Sequence, residues 1–307
     1  MKKIVLIPLI VGGILAVSGG VLVGCSLGDI NAETNTHDLT GKTFSKFDFN
    51  LDTSDVEFIS STDSKVVCVE SKRIKHDVKV ENDTLSIKIE GKKKWFQFFE
   101  PSKKVQVYIP ASTYSSLNIK LSTGDISVPS GFTFSETKME LSTGKIQFEG
   151  NVETKLNFVQ STGDVKLENV HAGEIYLESS TGKKEISNVT VSGDVTLKSS
   201  TGDTIINKLN CNNLTLTAST GKVKASEAIM HGDLNVKVST GDVKFTNSDA
   251  QKINIETSTG DVELSLLSSH DVEVETDTGK TDYPKHAEGP ACDIKTDTGD
   301  VKVSFVS

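Results

Sequence analysis

From residue 117 onward, apolar and polar residues alternate in short runs around a recurring Thr-Gly pair. Seven and five residues before Gly241 stand Leu234 and Val236, and two and four after it stand Val243 and Phe245. The same four slots hold Ile253, Ile255, Val262 and Leu264 around Gly260, and Leu214, Leu216, Val223 and Ala225 around Gly221. Lys, Glu, Asn, Thr and Asp lie between them. A period of two sends successive side chains to opposite faces. Each unit is therefore predicted to be a strand, a tight Thr-Gly turn, a second strand and a looser return.

The turn glycines are Gly124, Gly144, Gly163, Gly182, Gly202, Gly221, Gly241, Gly260, Gly279 and Gly299, spaced by 19 or 20 residues. Thr precedes every one, and Ser precedes all but the last two of those threonines, where Asp277 and Asp297 stand instead. A period of this length signals a stacked array, in which each unit is stable only through its neighbours. The predicted fold is all-β: a parallel β-solenoid (β-helix) of ten to eleven coils of 19–20 residues. At about 4.8 Å per coil, ten coils make a rod roughly 45 Å long.

Residues 47–58 align with 234–245, with Ser54 in the glycine slot, and form a degenerate first coil. An insertion over residues 60–110 then supplies an N-terminal β cap, including a hairpin turning at Asn82-Asp83 and a strand over 105–110. An uncapped end would expose an unpaired strand edge. The chain thus divides into an anchor segment (1–25), a polar stalk (26–42), first coil plus cap (43–116) and the repeats (117–307).

Net charge is −9, which excludes nucleic acid as a general partner. Residues 60–110 carry 11 Lys/Arg against 7 Asp/Glu, or +4, leaving −13 elsewhere. Within that basic stretch, Lys92, Lys93, Lys94 and Trp95 head a run that continues with Phe96, Phe98 and Phe99. These four residues are the candidate contact with anionic lipid headgroups or an anionic wall polymer. The competing reading, which the sequence favours, has Trp95 and the phenylalanines plugging the solenoid end while the lysines keep it soluble.

The residue after each turn glycine is Asp or Lys, with signs alternating except at Asp242 and Asp261. Consecutive stacking makes this an edge ladder of opposite charges that fixes register. Lysine in four of the ten turns argues against calcium, for which Asp242 and Asp261 are the only place. No metal site and no cofactor are expected. Cys25, Cys68, Cys211 and Cys292 lack metal or disulfide spacing, and Cys292 stands where other repeats place Val, Leu or Ile.

At the N-terminus, Lys2 and Lys3 precede an apolar run over residues 4–23, long enough to span a bilayer core. The run ends Leu22-Val23-Gly24-Cys25, which matches a lipobox, so Cys25 is the candidate lipid anchor. The alternative is an uncleaved signal-anchor helix. Both put the protein at the cell membrane with its body outside the cytoplasm.

Catalytic β-helices need grouped carboxylates or basic residues beside an aromatic-lined cleft. The repeats contain no Arg, and their two tyrosines, Tyr176 and Tyr283, are far apart. The six histidines show no triad or metal-ligand spacing, and His171, His231 and His270 read as solvated loop residues. The protein is read as a non-enzyme, with a carbohydrate-active β-helix enzyme as the alternative.

The run Val105-Gln106-Val107-Tyr108-Ile109-Pro110, the following Leu117-Asn118-Ile119-Lys120-Leu121-Ser122-Thr123-Gly124-Asp125-Ile126 and the repeated Ser-Thr-Gly-Asp turns resemble the bacterial "putative adhesin" β-strand-repeat family. The resemblance spans roughly residues 40–307. It implies a membrane-anchored β-repeat protein of the cell envelope, an interaction or scaffold module for an envelope protein or glycan, with a link to envelope stress sensing. Lipidation requires the Cys25 thiol, so under the lipobox reading Cys25→Ser leaves an unprocessed precursor without fatty acid. Unchanged mobility on gels and no acyl label in either form would leave the helix anchor standing.

Overall fold

The computed structural model describes residues 32–71, 75–90 and 103–306, and these contain strands, turns and no helix. The alternation in the sequence becomes ladders of like side chains. Leu214 pairs with Leu234 and Leu234 with Ile253, while Leu216, Val236 and Ile255 stack beside them, all in parallel register. These side chains are buried. Past each turn a second parallel ladder runs through Val223, Val243, Val262 and Val301. Repetition of one apolar pattern on successive rungs gives a continuous core along the rod.

The turn column is the tightest part of the stack. Its ten repeat glycines have φ between 120° and 157°. A β-carbon on Gly144 would lie 1.9 Å from the carbonyl oxygen of Gly124, and one on Gly202 2.2 Å from that of Gly182. Backbone thus rests directly on backbone, and Ser54 is the platform beneath Gly124. The aspartates that follow the glycines serve this column. Asp125 Oδ1 accepts the Lys145 N–H at 2.7 Å, Asp164 that of Lys183 at 2.8 Å, and Asp203 that of Lys222 at 2.9 Å. Their main task is to satisfy the N–H of the turn above, which the sequence reading of an ion-pair ladder did not anticipate. One such pair does form, Lys222 to Asp242 at 2.8 Å.

A second corner follows six residues after the glycine. Asn169, Asn188, Lys208, Glu227 and Asn247 all adopt left-handed φ of 48–61°. Asn tolerates this conformation because its short amide bonds locally, and Asn188 Nδ2 donates to Asn169 Oδ1 at 2.6 Å. Lys208 and Glu227 hold the same shape without that relief.

At the N-terminal end, the strands Lys46–Thr53 and Asp55–Ser60 form the first rung, and Lys46–Thr53 pairs with the repeat strand Thr113–Thr123. On the other side they are covered by Thr84–Glu90 and Lys104–Ile109. Antiparallel strands complete the cap: Lys65–Ser71 on Lys104–Ile109, Ala32–Asp38 on Lys65–Ser71, and Lys75–Glu81 on Thr84–Glu90. Asn82 and Asp83 make the hairpin turn with φ of 49° and 63°. Aromatic rings fill this end of the core, with Phe47 edge-on to Phe58, Tyr114 and Phe134 at centroid distances of 5.0–6.0 Å.

The C-terminal end departs from consecutive stacking. The strand Lys252–Thr259 pairs not with the next repeat but with the last one, Ala291–Thr298. Asp271–Thr278 then pairs on the far side of Ala291–Thr298, so the final two coils exchange places. Core chemistry explains the exchange. The last coil points Cys292, Ile294, Val301 and Val303 inward, whereas the penultimate one offers Val272 and Val274 but then Thr281. The less apolar coil takes the end position, where one side meets water. The exchange also corrects the charge ladder, because Asp300 now follows Asp261 and three aspartates, Asp242, Asp261 and Asp300, stand in succession.

One charged side chain enters the core. Lys184 occupies the slot filled by Val165 on the rung before, is fully buried, and donates to Ser199 Oγ. Burial pushes its ammonium pKa down to about 8, against the pull of Asp164 and Asp203. Between this value and the usual 10.5 the unfolded chain binds the extra proton. Stability should therefore rise with pH across that window, by on the order of 3 kcal/mol. Melting curves from pH 8 to 10.5 should show that slope, and Lys184→Met should flatten it. For the turn column, Gly202→Ala or Gly202→Val must displace a backbone carbonyl. Either should lower the melting temperature several-fold more than Gly41→Ala, whose left-handed site has nothing within 4 Å and costs about 1 kcal/mol. Equal shifts would remove the backbone-contact account.

Candidate functional site

Two features stand apart from the repeat. The first is a groove of about 720 Å³ along the second corner. Asn188, Lys208, Glu227 and Asn247 line it on one side, and Ile229, Leu267 and Val306 give it apolar character. Its position follows from a single irregularity. Ser248 pairs with Leu266, one residue early, so the coil of Gly260 has no counterpart of Asn247. Leu267 then falls outside the core in the row that includes Ile229 and Asp249, and Val306 follows it. Leu267 is 46 % and Val306 43 % exposed, the two most exposed large hydrophobic residues among those described. No aromatic ring lines the groove.

The second feature is a buried polar network in the cap. Alternation along Lys65–Ser71 sends Val66, Cys68 and Glu70 inward. Glu70 accepts from the His76 backbone N–H and from Asn35 Nδ2, and its Oε1 lies 3.0 Å from His76 Nδ1. Lys75 Nζ stands 3.5 Å from its other oxygen. His76 Nε2 in turn lies 3.1 Å from Ser54 Oγ. Burial pushes the His76 pKa down, opposed by Glu70. Burial alone would raise the Glu70 carboxyl, yet the hydrogen bonds from His76 and Asn35 hold it below the usual range. Burial next to Glu70 pushes the Cys68 thiol up to about 12.

Ser54, His76 and Glu70 thus have the connectivity of a triad, which corrects the sequence reading that no histidine joins one. The signal was present in the sequence: Glu70 occupies an inward slot in an alternating strand. Ser54 is 1 % and His76 4 % exposed, so no substrate reaches them through the described surface. His270 is a second correction. It is fully buried, with Nε2 3.0 Å from the Ala250 carbonyl and Nδ1 3.2 Å from that of Ser268. His171 and His231 are exposed. Cys68, Cys211 and Cys292 are free and buried. The predicted site residues Cys25, Lys92, Lys93, Lys94 and Trp95 lie outside the described residues.

No curated protein matches the chain. Among solved structures, a putative adhesin from Bacteroides fragilis is similar over 90 % of this chain and 99 % of its own, at 13 % identity and a TM-score of 0.40. A putative lipid binding protein from Parabacteroides distasonis is similar over 90 % and 98 %, at 15 % identity and the same TM-score of 0.40. The Toastrack DUF4097 family model matches residues 44–199 and 192–307, which takes in the first rung, most of the cap and every Ser-Thr-Gly and Asp-Thr-Gly coil. The chain therefore belongs to the Toastrack DUF4097 family.

Proposed function

We propose that the protein is a non-catalytic interaction module of the cell envelope, anchored through its N-terminal segment with the solenoid outside the cytoplasm. The groove is the observation that carries this reading. Leu267 and Val306 face solvent in a row where earlier coils place Thr190, Asn210 and Asp249, with Ile229 the one aliphatic residue among them. The chemistry of the lining favours polypeptide over glycan. Sugar rings are held by aromatic stacking and convergent polar groups, whereas this groove combines aliphatic side chains with Asn amides, Lys208 and Glu227. An extended segment of an envelope protein can set its apolar side chains on Ile229, Leu267 and Val306 and its backbone amides toward Asn188 and Asn247. A part in envelope stress sensing is a finer version of the same proposal, with a sensor protein as the bound partner.

The test is site-specific photocrosslinking in intact cells. A crosslinker at Leu267 should yield a discrete protein adduct that Ile229→Asp abolishes, while one at Val159, an exposed residue of the strand Asn151–Thr162 outside the groove, should not. Both sites are solvent-facing, so the fold tolerates the probe. If the purified protein instead sediments with wall polysaccharide and releases reducing ends from it, the carbohydrate-active reading replaces this one.

A further inference from the structure

The buried network in the cap contains a close contact between a ring nitrogen and a carboxylate oxygen. Ser54 Oγ lies 2.6 Å from the Thr53 carbonyl oxygen. A carbonyl only accepts, so the single hydroxyl proton of Ser54 points there. Ser54 can then only accept from His76, which places the ring proton on Nε2. Nδ1 is left with a lone pair, 3.0 Å from Glu70 Oε1. That oxygen is held by the His76 backbone N–H. Two electron-rich atoms at this distance require a cation between them. A second ring proton is one such cation, and a bound metal ion is another.

A third donor converges on the same point. Cys68 Sγ, a Glu70 carboxylate oxygen and a His76 ring nitrogen all lie within 4.8 Å of one another, and all three residues are buried. The surrounding bonds match what a metal site needs outside its ligands. Ser54 fixes the far nitrogen of the ring, and Asn35 holds the second Glu70 oxygen. A further histidine stands on the covering strand, outside that group of three. His37 pairs opposite Val66, on the face shared with Cys68 and Glu70, and its Nε2 is buried without a hydrogen-bond partner.

We infer that Cys68, Glu70 and His76 form a binding site for one divalent transition-metal ion of borderline softness, of which zinc is the type. Sulfur, imidazole and carboxylate together select such an ion over calcium or magnesium. On binding, the Cys68 S–H bond breaks and its proton leaves to solvent. The thiolate, His76 Nδ1 and Glu70 Oε1 each donate an electron pair to the metal, with no change in oxidation state. The ion joins Lys65–Ser71 to Lys75–Glu81 and, through Ser54, ties both to the first rung.

Cobalt titration of the full chain, stripped of metal and kept reduced, tests the site. One equivalent of Co²⁺ should give a thiolate-to-cobalt charge-transfer band with the visible bands of a tetrahedral centre, and Zn²⁺ should erase both. Cys68→Ser should remove the charge-transfer band while metal-free melting shows the chain still folded. Glu70→Gln and Ser54→Ala keep the thiol and should retain the band with affinity about tenfold weaker or more. Absence of the band in the unsubstituted chain, or its survival in Cys68→Ser, would overturn the assignment.

Discussion

Every other contact in this molecule depends on the backbone-to-backbone contact in the turn column. Because the carbonyl of one glycine occupies the space where the β-carbon of the next would be, two rungs can come together in one register only. A slip by one residue would place a threonine in that space and turn each apolar ladder to the outside. The aspartates reinforce the column, since a carboxylate that accepts the next turn's N–H removes an otherwise unpaired donor. With register fixed at the turn, modest side chains suffice for the core. Alanine at 218 stacks on Val238 and alanine at 225 on Phe245 without disturbing the register.

Such a design leaves the ends and the irregular rungs to carry individuality. The N-terminal end is sealed by aromatic rings and antiparallel strands, and the cap encloses the polar network around Glu70. Near the other end, one missing corner residue moves Leu267 and Val306 onto the surface. The proposed metal site and the proposed groove both occur where the period fails. Within the regular rungs most outward side chains are polar, and several pair along the ladder, as Lys237 does with Glu256 and Lys244 with Glu263. Exposed pairs of this kind contribute little to stability.

The repeat was legible in the sequence because its cause is local. A Thr-Gly turn every 19 or 20 residues and an alternating pattern on either side dictate a strand-turn-strand unit before any long-range contact is known. The second corner was less visible, since Asn169, Asn188 and Asn247 share it with Lys208 and Glu227, whose side chains carry no turn signal. Rung order was not legible in the turns: the last two share the same Asp-Thr-Gly, and only the relative apolarity of their coils decides which is outermost. The cap network lies between these cases. Glu70 in an inward slot marked it, but Ser54 and His76 meet it only through the pairing of distant strands.

The exchange of the last two coils also governs how the rod can form and lengthen. Ala291–Thr298 is gripped on both edges, by Lys252–Thr259 and Asp271–Thr278, although it is made after both. Growth of the stack by simple addition of each newly synthesised coil would stop at Gly260, and the penultimate coil must wait, unseated, until its successor has arrived. A coil appended beyond Phe305 would find the edges of its predecessor already taken. Duplication of repeats therefore extends this rod most directly from within, ahead of the exchanged pair.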